Sequence, residues 1–398
     1  MAPDRFGALW RSLEPIGRGT DGYHRFSWTY PDLACREWFA EEAADRGMSV
    51  ETDGNGNLWA WLGDPALGDA VVTGSHFDSV PGGGGYDGAL GIASAFLALD
   101  VLADHGARPR RPIGVVAFAE EEGARFGVAC LGSRLLTGAL DPVRAAALTD
   151  RDGVNLPEAM KSGGVEPSLL GPDPQRLHRI GTFVELHIEQ GRALSVPVGV
   201  ASAIWPHGRW RLDLTGTGNH AGTTGMAHRH DPMLTFAYAV LAANKEARLH
   251  DALATIGRVS VEPGATNVIP SSVTAWLDAR APEQSTVDGL VAAITNRVTE
   301  RAQRDGTTAS VTPESVSPVT EFDTALRDRI SGLLGGAPVL ATGAGHDAGV
   351  LAAHVPTAML FVRNPTGVSH APDEYATDTD CAAGVDALAA VLEELACR

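Results

Sequence analysis

The chain places a histidine and two carboxylates around a glycine-rich loop that directly follows an apolar run. The loop starts with His76 and Asp78, passes through four consecutive glycines and reaches Asp87. A second apolar run, 113–119, ends in three consecutive glutamates, 120–122. Imidazole and carboxylate groups are the ligands that proteins offer to divalent metal ions in hydrolytic sites. The two patterns together predict a hydrolytic metal centre.

Two further strand patterns end in residues of the same types. The apolar run from Thr182 carries His187 and Glu189, and His370 lies beyond the run 357–362. In open α/β sheets, functional groups collect at the carboxyl ends of the strands. We therefore expect all four strand ends to contribute to one site.

This set of candidate ligands contains nitrogen and oxygen but no sulfur, which suits Zn²⁺, Mn²⁺, Co²⁺ or Ni²⁺. Two adjacent ions need a carboxylate that bridges them, and Asp87 on its tight loop could do so. One glutamate of the acidic triplet must then stay uncoordinated and act as a base. Paired ions would lower the pKa of a bridging water and polarise a carbonyl. The free glutamate would take the proton of the water and pass it to the leaving nitrogen.

Each of these motifs alone has a simpler explanation. A His-x-Asp pair usually lies on a surface loop, three glutamates most often form a solvated face, and His187 could be a core histidine. The glycine run could bind phosphate, but the chain has no G-x-x-x-x-G-K-[ST] motif and no G-x-G-x-x-G that opens the helix. The coincidence of suitable ligands at four strand ends favours the metal centre.

The elements that must position these residues follow an α/β pattern. A strand, the glycine loop, a helix over 88–102 and the strand 113–119 indicate a mostly parallel sheet covered by helices. From 206 to 313 the pattern changes to strand-helix-strand-strand-helix-strand, which is typical of a small α+β sandwich. We therefore predict a catalytic domain formed by 1–205 and 314–398, with 206–313 inserted into it.

Length and charge restrict the class of protein. A chain of 398 residues allows two domains or one large α/β unit. The net charge of −18 disfavours nucleic acids and anionic membranes as partners. No apolar run approaches the roughly 18 residues that span a bilayer, the N-terminus does not resemble a signal peptide, and the cysteines form no C-x-x-C pair. We expect a cytoplasmic protein that binds neither nucleic acid nor membrane.

The motifs also resemble, in the same order, those of a known family. This is the group of allantoate amidohydrolases, N-carbamoyl-L-amino-acid hydrolases and β-ureidopropionases, within the dinuclear-metal aminoacylase and carboxypeptidase superfamily. The resemblance runs from about residue 30 to the C-terminus and implies a catalytic domain of zinc-exopeptidase type. The matching motifs are His76-x-Asp78 with Asp87–Gly88, Glu120–Gly127, Glu185–Gly191, Asn219–Thr224, Gly345–Ala348 and Ser369–His370.

The resemblance implies two divalent metal ions per subunit and assigns roles around them. The general base would be Glu121, Asp78 would orient the imidazole of His76, and His220 of the inserted domain would help to stabilise the oxyanion. The implied metal ligands, with Asp87 as the bridge, are His76, Asp87, Glu122, His187 and His370.

The resemblance also implies how substrate is held. Gln190, Asn267 and Arg280 resemble groups that line the substrate pocket, the last two as grips for a substrate carboxylate. His207 lies where many members have a glutamine, so we include it among the substrate-binding residues. The inserted domain is the lid and dimerisation domain of the family, which implies a homodimer with hinge closure.

One stretch departs from the family. Many members carry Gly-Gln-Arg-Arg-Tyr at the entrance to the lid, where this chain has Pro-His-Gly-Arg-Trp over 206–210. The departure replaces an arginine with Gly208, and Trp205 and Trp210 add apolar area. Gly225 and Ala371 replace a proline and an asparagine. We expect a substrate other than allantoate, such as a bulkier N-substituted amino acid.

The sequence therefore predicts a metal-dependent hydrolase of linear C–N amides that removes a carbamoyl (ureido) group from an N-carbamoyl-amino acid or an allantoate-like substrate. An N-acyl-amino-acid hydrolase or dipeptidase on the same scaffold is the alternative. A non-catalytic, metal-holding dimer that binds an amino-acid derivative is a different class. The intact pair of Glu121 and Glu122 argues against it, because a binding protein has no need of a base.

Overall fold

The chain folds into two compact units, and the second is inserted into the first. The computed structural model describes Met1 and residues 3–398. Unit 1 consists of Met1–Ser202, Glu321–Leu340 and Gly345–Arg398, and unit 2 consists of Ala203–Thr320 and Ala341–Ala344.

The part of the chain before unit 2 supplies most elements of unit 1. Its helices are α1 (Pro3–Leu13), α2 (Tyr30–Asp45), α3 (Ala89–Asp104), α4 (Leu131–Thr137), α5 (Pro142–Ala146), α6 (Leu156–Ser162) and α7 (Pro174–Arg179). Its strands are β1 (Arg18–Gly19), β2 (Gly22–Tyr23), β3 (Ser49–Thr52), β4 (Leu58–Leu62), β5 (Ala70–His76), β6 (Ile113–Phe118), β7 (Ile180–Ile188) and β8 (Val198–Ile204).

The remaining elements follow in chain order. The helices are α8 (Pro232–Leu249), α9 (Gln284–Asp305), α10 (Thr324–Leu333), α11 (Asp347–Leu351) and α12 (Asp378–Ala396). The strands are β9 (His207–Thr215), β10 (Asn219–His220), β11 (Leu253–Glu262), β12 (Val268–Ile269), β13 (Ser272–Arg280), β14 (Thr308–Ser317), β15 (Thr320–Glu321), β16 (Val339–Thr342) and β17 (Thr357–Val362).

The main sheet has the order β15-β8-β17-β7-β5-β6-β4-β3, with β16 paired to β8. Its centre, β17-β7-β5-β6, is parallel, and the strands beside it are antiparallel. The parallel strands β5, β6 and β17 are buried along their whole lengths, as expected for a sheet that helices cover on both faces. Helix α3 packs against β5, β7 and α12. These findings confirm the predicted α/β fold with a mostly parallel central sheet.

Unit 2 has its own sheet and its own core. The strands are antiparallel in the order β11-β13-β9-β14. Every second residue of β13 is buried, starting at Val273, and α8 and α9 pack against each other and against the same sheet. This alternation is what a sheet with one covered face requires. The function of unit 2 as a lid and dimerisation domain stays a prediction.

The longer segment of unit 2, 203–320, begins and ends at neighbouring strands of the main sheet. Strands β8 and β15 are adjacent in the main sheet, and the N–H of Phe322 donates to the carbonyl of Ser202 at 3.1 Å. The two points of connection therefore lie side by side.

None of the helices in the described part of the chain combines the length and the apolar character that crossing a bilayer requires.

Candidate metal centre

Side chains from four parallel strands meet at the carboxyl end of the central sheet. This is the edge at which open α/β sheets bind ligands. The residues are His76 at the end of β5, Asp87 in the loop before α3, Glu122 after β6, His187 near the end of β7 and His370 after β17.

These residues form two groups of potential ligands. In the first group, Oδ1 of Asp87 lies 3.5 Å from Nε2 of His76 and 3.1 Å from Nε2 of His187. In the second group, Nε2 of His370 lies 3.3 Å from Oδ2 of Asp87 and 3.4 Å from Oε2 of Glu122. Within each group, the possible ligand atoms lie within 4.8 Å of one another.

Asp87 belongs to both groups, and each of its oxygens faces a different one. Burial alone would raise the pKa of Asp87, but its contacts with the three histidines outweigh burial and hold the pKa well below the ordinary value. The carboxylate is therefore ionised and able to bridge two cations.

The donor set fits a pair of divalent metal ions. Nε2 of His76 and Oε1 of Glu122 are buried and form no hydrogen bond within the described chain. Buried polar atoms without partners are rare, and a bound ion is one way to satisfy them. Imidazole nitrogen and carboxylate oxygen are ligands for Zn²⁺, Mn²⁺, Co²⁺ and Ni²⁺. The two groups of residues could therefore hold one ion each.

Main-chain carbonyls fix the orientation of both buried imidazoles. Nδ1 of His76 donates to the carbonyl of Asp78, and Nδ1 of His187 donates to the carbonyl of Ile188, each at 2.9 Å. With Nδ1 protonated, Nε2 of each ring keeps its lone pair and faces Asp87. Hydrogen bonds of this kind orient histidine ligands in metal sites.

The acidic triplet divides into three different environments. Oε1 of Glu120 accepts from the N–H groups of Arg125 and Phe126 at 2.8 and 2.7 Å, so Glu120 stabilises the turn that follows it. Glu122 faces His370. Glu121 lies between them, with Oε1 3.3 Å from Sγ of Cys130 and Oε2 3.7 Å from Nε2 of His76. Burial raises the pKa of Glu121 well above the ordinary value, although the charge of His76 opposes the shift.

Asp78 contacts His76 through its main-chain carbonyl and the residues after β6 through its carboxylate. Its carbonyl, not its carboxylate, hydrogen-bonds His76, and Oδ1 lies 3.7 Å from Nδ1 of that ring. The carboxylate accepts from the N–H groups of Glu121 and Glu122 at 3.1 and 3.0 Å. Asp78 therefore connects the strand ends of β5 and β6.

Gly88 allows His76 and Asp87 to approach each other. Its φ is +68°, and a Cβ at this position would lie 2.5 Å from three atoms of the His76 ring. We expect Gly88→Ala to displace the ring or the loop and to lower the metal content measured by elemental analysis, with the circular dichroism of the fold unchanged.

Gly106→Ala is the matched control for Gly88→Ala. Its φ is +67°, and a Cβ there would meet no atom within 4 Å. The control therefore carries the same backbone strain without the contact. Equal metal content in the two variants would contradict the role of Gly88.

In the metal-free protein, stability should fall as pH rises. Burial and the charge of Asp78 raise the pKa of Glu120 to about 8, and burial and the charge of Asp87 raise that of Glu122 to about 7. A carboxyl whose pKa is higher in the folded chain holds more protons there, so stability is lost from the ordinary pKa of 4.5 upward to the folded value. The melting temperature of chelator-treated protein should therefore fall between about pH 5 and pH 8.

The titration of His370 should also lower the stability of the metal-free protein as pH rises. Burial alone would lower its pKa, but its contact with Asp87 and the charge of Glu122 raise it from 6.5 to about 9, so its stabilising charge is lost as pH rises through that range. Glu122→Gln should flatten the dependence. A melting temperature of the chelated protein that rises from pH 5 to pH 8 would contradict the expectation.

Gln190 lies against the second group of potential ligands. Its Nε2 donates to Oδ2 of Asp87 at 3.0 Å and to Oγ of Ser369 at 3.1 Å, and it lies 3.2 Å from Nε2 of His370. The structure therefore places this sequence-predicted substrate residue next to the candidate ligands.

The other sequence-predicted residues lie in unit 2. His220 is exposed on β10, with Nδ1 accepting from the N–H of Gly222 at 3.0 Å. The carbonyl of Asn267 accepts from the N–H of Ala221 at 3.0 Å, so the chain brings Asn267 close to His220. The roles of His220 and Asn267 in catalysis and binding stay predictions.

His207 and Arg280 also have partners within unit 2. Nδ1 of His207 lies 2.9 Å from the carbonyl of Trp205. The guanidinium of Arg280 pairs with Asp278 at 2.7 and 2.9 Å and donates to the carbonyl of Gly343 at 2.8 Å. Their roles in substrate binding stay predictions.

The sequence predicted that Trp210 adds apolar area to the substrate-binding surface. In the structure it does not. It is 7% exposed and packs in the core of unit 2. The alternation of β9 turns Trp210 inward together with Leu212 and Leu214. The prediction of a bulkier substrate loses this support.

Four further residues lie next to the site, and the sequence predicted no role for them. Glu185 accepts from Oγ of Ser75 at 2.8 Å and from the N–H of Ala348 at 3.0 Å. The ring centre of His346 lies 4.5 Å from that of His187, and the carboxylate of Asp347 accepts from the hydroxyl of Ser133. Glu374 accepts from the N–H groups of Tyr86 and Asp87 at 3.0 and 2.9 Å. A carboxylate inside the apolar strand β7 was the available signal for Glu185, and the Gly345–Ala348 motif was the signal for His346 and Asp347.

Comparisons with known proteins find relatives along nearly the whole chain. The model of peptidase family M20/M25/M40 matches residues 72–394. The chain is 36% identical to an N-carbamoyl-L-amino acid amidohydrolase of Geobacillus stearothermophilus, over 98% of each chain. It is 33% identical to an allantoate amidohydrolase of Escherichia coli K12, over 92% of this chain and 90% of that one. A solved amidase of the hydantoinase/carbamoylase family from Burkholderia vietnamiensis has a TM-score of 0.91 at 29% identity, over 100% and 98% of the two chains.

Proposed function

Because this chain belongs to peptidase family M20/M25/M40 and is a hydrolase acting on amides, we propose that it removes the carbamoyl group from an N-carbamoyl-amino acid with the help of two divalent metal ions. The observation that carries the proposal is the pair of ligand groups that share Asp87 beside the buried Glu121. The substrate class rests on the named relatives, which act on N-carbamoyl-L-amino acids and allantoate.

Five side chains would hold the ions in this proposal. They are the shared Asp87, with His76 and His187 on one side of it and Glu122 and His370 on the other. Bound there, the ions would supply an acidified water and a polarised carbonyl. We propose that the native metal is Zn²⁺, Mn²⁺, Co²⁺ or Ni²⁺, since nitrogen and oxygen ligands suit each of these ions.

Glu121 carries the proton in the proposed reaction. Its carboxylate takes a proton from the attacking water and delivers it to the nitrogen of the amino acid as the C–N bond breaks. The raised pKa of Glu121 suits a base that must also give its proton away. The products are the free amino acid and carbamic acid, which decomposes to ammonia and carbon dioxide.

The side chain of Asp78 supports Glu121 by accepting hydrogen bonds from the main chain. Its carboxylate holds the N–H groups of both Glu121 and Glu122, so the base and the adjacent ligand keep a fixed spacing. We assign His220 to the developing oxyanion, and Arg280, Asn267, Gln190 and His207 to the substrate, whose carboxylate an arginine fork suits.

A panel of substrates tests the proposal. Enzyme loaded separately with Mn²⁺, Co²⁺ or Zn²⁺ is incubated with N-carbamoyl, N-acetyl and dipeptide forms of one amino acid, and with allantoate. We expect ammonia and the free amino acid from the N-carbamoyl compound. Release of acetate, or cleavage of the dipeptide alone, would instead identify the N-acyl-amino-acid hydrolase or dipeptidase on the same scaffold.

We also propose that the chain forms a homodimer through unit 2 and that it acts in the cytoplasm without membrane or nucleic-acid partners. Sedimentation velocity on the intact chain and on a Leu241→Glu variant tests the dimer, because Leu241 is exposed on α8. A monomer in both samples would contradict it.

A further inference from the structure

A cavity lies next to the candidate metal centre, between α1, the turn of β1 and β2, and the loops before α3 and α12. Its volume is about 330 Å³, at the lower end of the range for small-molecule sites. Its walls combine four aromatic rings with three charged side chains. These lining residues are Trp10, Tyr23, Tyr86, Tyr375, Glu14, Arg18 and Glu374. The five candidate metal ligands are not among the lining residues described for this cavity.

The aromatic residues form connected walls. Trp10 stacks on Tyr86 with ring centres 4.8 Å apart and planes 12° apart. Tyr375 meets Tyr86 edge to face at 6.1 Å. These contacts give the cavity a connected apolar wall, which suits the side chain of a small ligand.

Glu374 gives the cavity a buried acceptor. The residue is 4% exposed, and its Oε1 accepts the N–H groups of Tyr86 and Asp87. Its Oε2 is buried and has no hydrogen-bond partner in the described chain. A buried carboxylate oxygen without a donor is costly, and an ammonium group of a ligand would supply that donor.

Arg18 gives the cavity a cationic group. Nη1 of Arg18 pairs with Oε1 of Glu14 at 2.5 Å, and the Arg18 side chain is 60% exposed. A guanidinium has five N–H groups, so the pair with Glu14 leaves donors for a carboxylate of a ligand. A cation site and an anion site in one small cavity match the two charges of a zwitterion.

We propose that this cavity binds a free α-amino acid, with its ammonium group at Glu374 and its carboxylate at Arg18. The proposed hydrolysis also releases an amino acid, so the ligand would be a product of the enzyme. Only this link to the product rests on the proposed function. The occupant would share the Glu374 carboxylate with the main chain of Asp87, which connects this cavity to the candidate metal centre.

Calorimetric titration of the metal-loaded, full-length protein tests the proposal. The probes are L-phenylalanine, 2-phenylethylamine, which lacks the carboxylate, and 3-phenylpropionate, which lacks the ammonium group. We expect L-phenylalanine to bind more tightly than either analogue. Arg18→Gln should weaken L-phenylalanine binding about tenfold or more, since a charge-assisted contact is lost, and should leave 2-phenylethylamine binding unchanged.

Two further variants complete the experiment. Arg11→Gln removes the same charge from α1 at an exposed residue that does not line the cavity, and should bind like the unaltered protein. Glu374→Gln keeps an oxygen for the two N–H groups but removes the charge, and should weaken binding of both amines. Hydrolysis measured without added amino acid should be the same for Arg18→Gln and the unaltered protein.

Two results would overturn the proposal. One is an absence of amino-acid binding at ligand concentrations on the order of 10 mM. A dissociation constant above that concentration is too weak for a specific small-ligand site. The other is binding that Arg18→Gln leaves unaltered, which would locate the amino acid in the metal centre alone. Binding is measured without turnover, so failure of the carbamoyl-hydrolase proposal leaves this result interpretable.

Discussion

Replacing Glu121 with glutamine should lower kcat by about 10²- to 10⁴-fold, the range that general acid–base groups contribute. Glutamine has the size of glutamate but cannot accept and return a proton. Glu121 is not among the grouped ligand residues, so the metal content should stay the same. Steady-state kinetics with elemental analysis of the same preparation measures both quantities.

Glu120→Gln is the matched control, because it makes the same change one residue earlier. The Glu120 carboxylate faces the N–H groups of Arg125 and Phe126, and an amide oxygen can still accept from both. Its kcat should stay within a few fold of the unaltered enzyme. If Glu121→Gln retained full activity, or if Glu120→Gln lost as much, the assignment of the base would be wrong.

The second large effect is expected for Asp87→Ala, which should remove both metal ions. Each oxygen of Asp87 faces a different group of ligands, so one substitution breaks both. Because even residues that only support metal ligands contribute about 10- to 100-fold in affinity, loss of a shared ligand should lower the affinity for each ion by at least that much. Activity should fall to the level of chelator-treated enzyme.

His370→Ala distinguishes a shared ligand from an ordinary one. His370 belongs to one group only, and His76 and His187 keep the other intact with Asp87. This variant should retain about one ion per chain by elemental analysis after dialysis, whereas Asp87→Ala retains none. Equal stoichiometry in the two variants would show that Asp87 does not bridge the groups.

The sequence predicted the main elements and the candidate ligands because both depend on local patterns. Continuous apolar runs identified β5, β6 and β17. Polar residues directly after such runs identified His76 and the glutamates 120–122, and the family resemblance selected Glu122 among these as the ligand. Strands of this kind are buried on both faces, and ligands bind at their carboxyl ends, so polar groups placed there indicate a site. The structure brings all five proposed ligands together.

Other parts of the site depend on contacts between distant segments. Glu374 holds the N–H of Asp87 across 287 positions of sequence, and Glu185 meets Ser75 across 110. No local pattern encodes such pairs. Asp78 contacts His76 through its carbonyl and not its carboxylate. The direction of the turn after β5 decides this, and the residue type alone does not determine it.

The side-by-side connections of unit 2 have an evolutionary and practical consequence. Insertions are tolerated best where the two ends of the inserted segment lie close together, and the contact between Phe322 and Ser202 provides that arrangement. A gene segment that encodes 203–320 could thus be exchanged between relatives without changing the register of the strands that carry the metal ligands. Chimaeras of this kind would test whether unit 2 selects the substrate independently of the residues that cleave it.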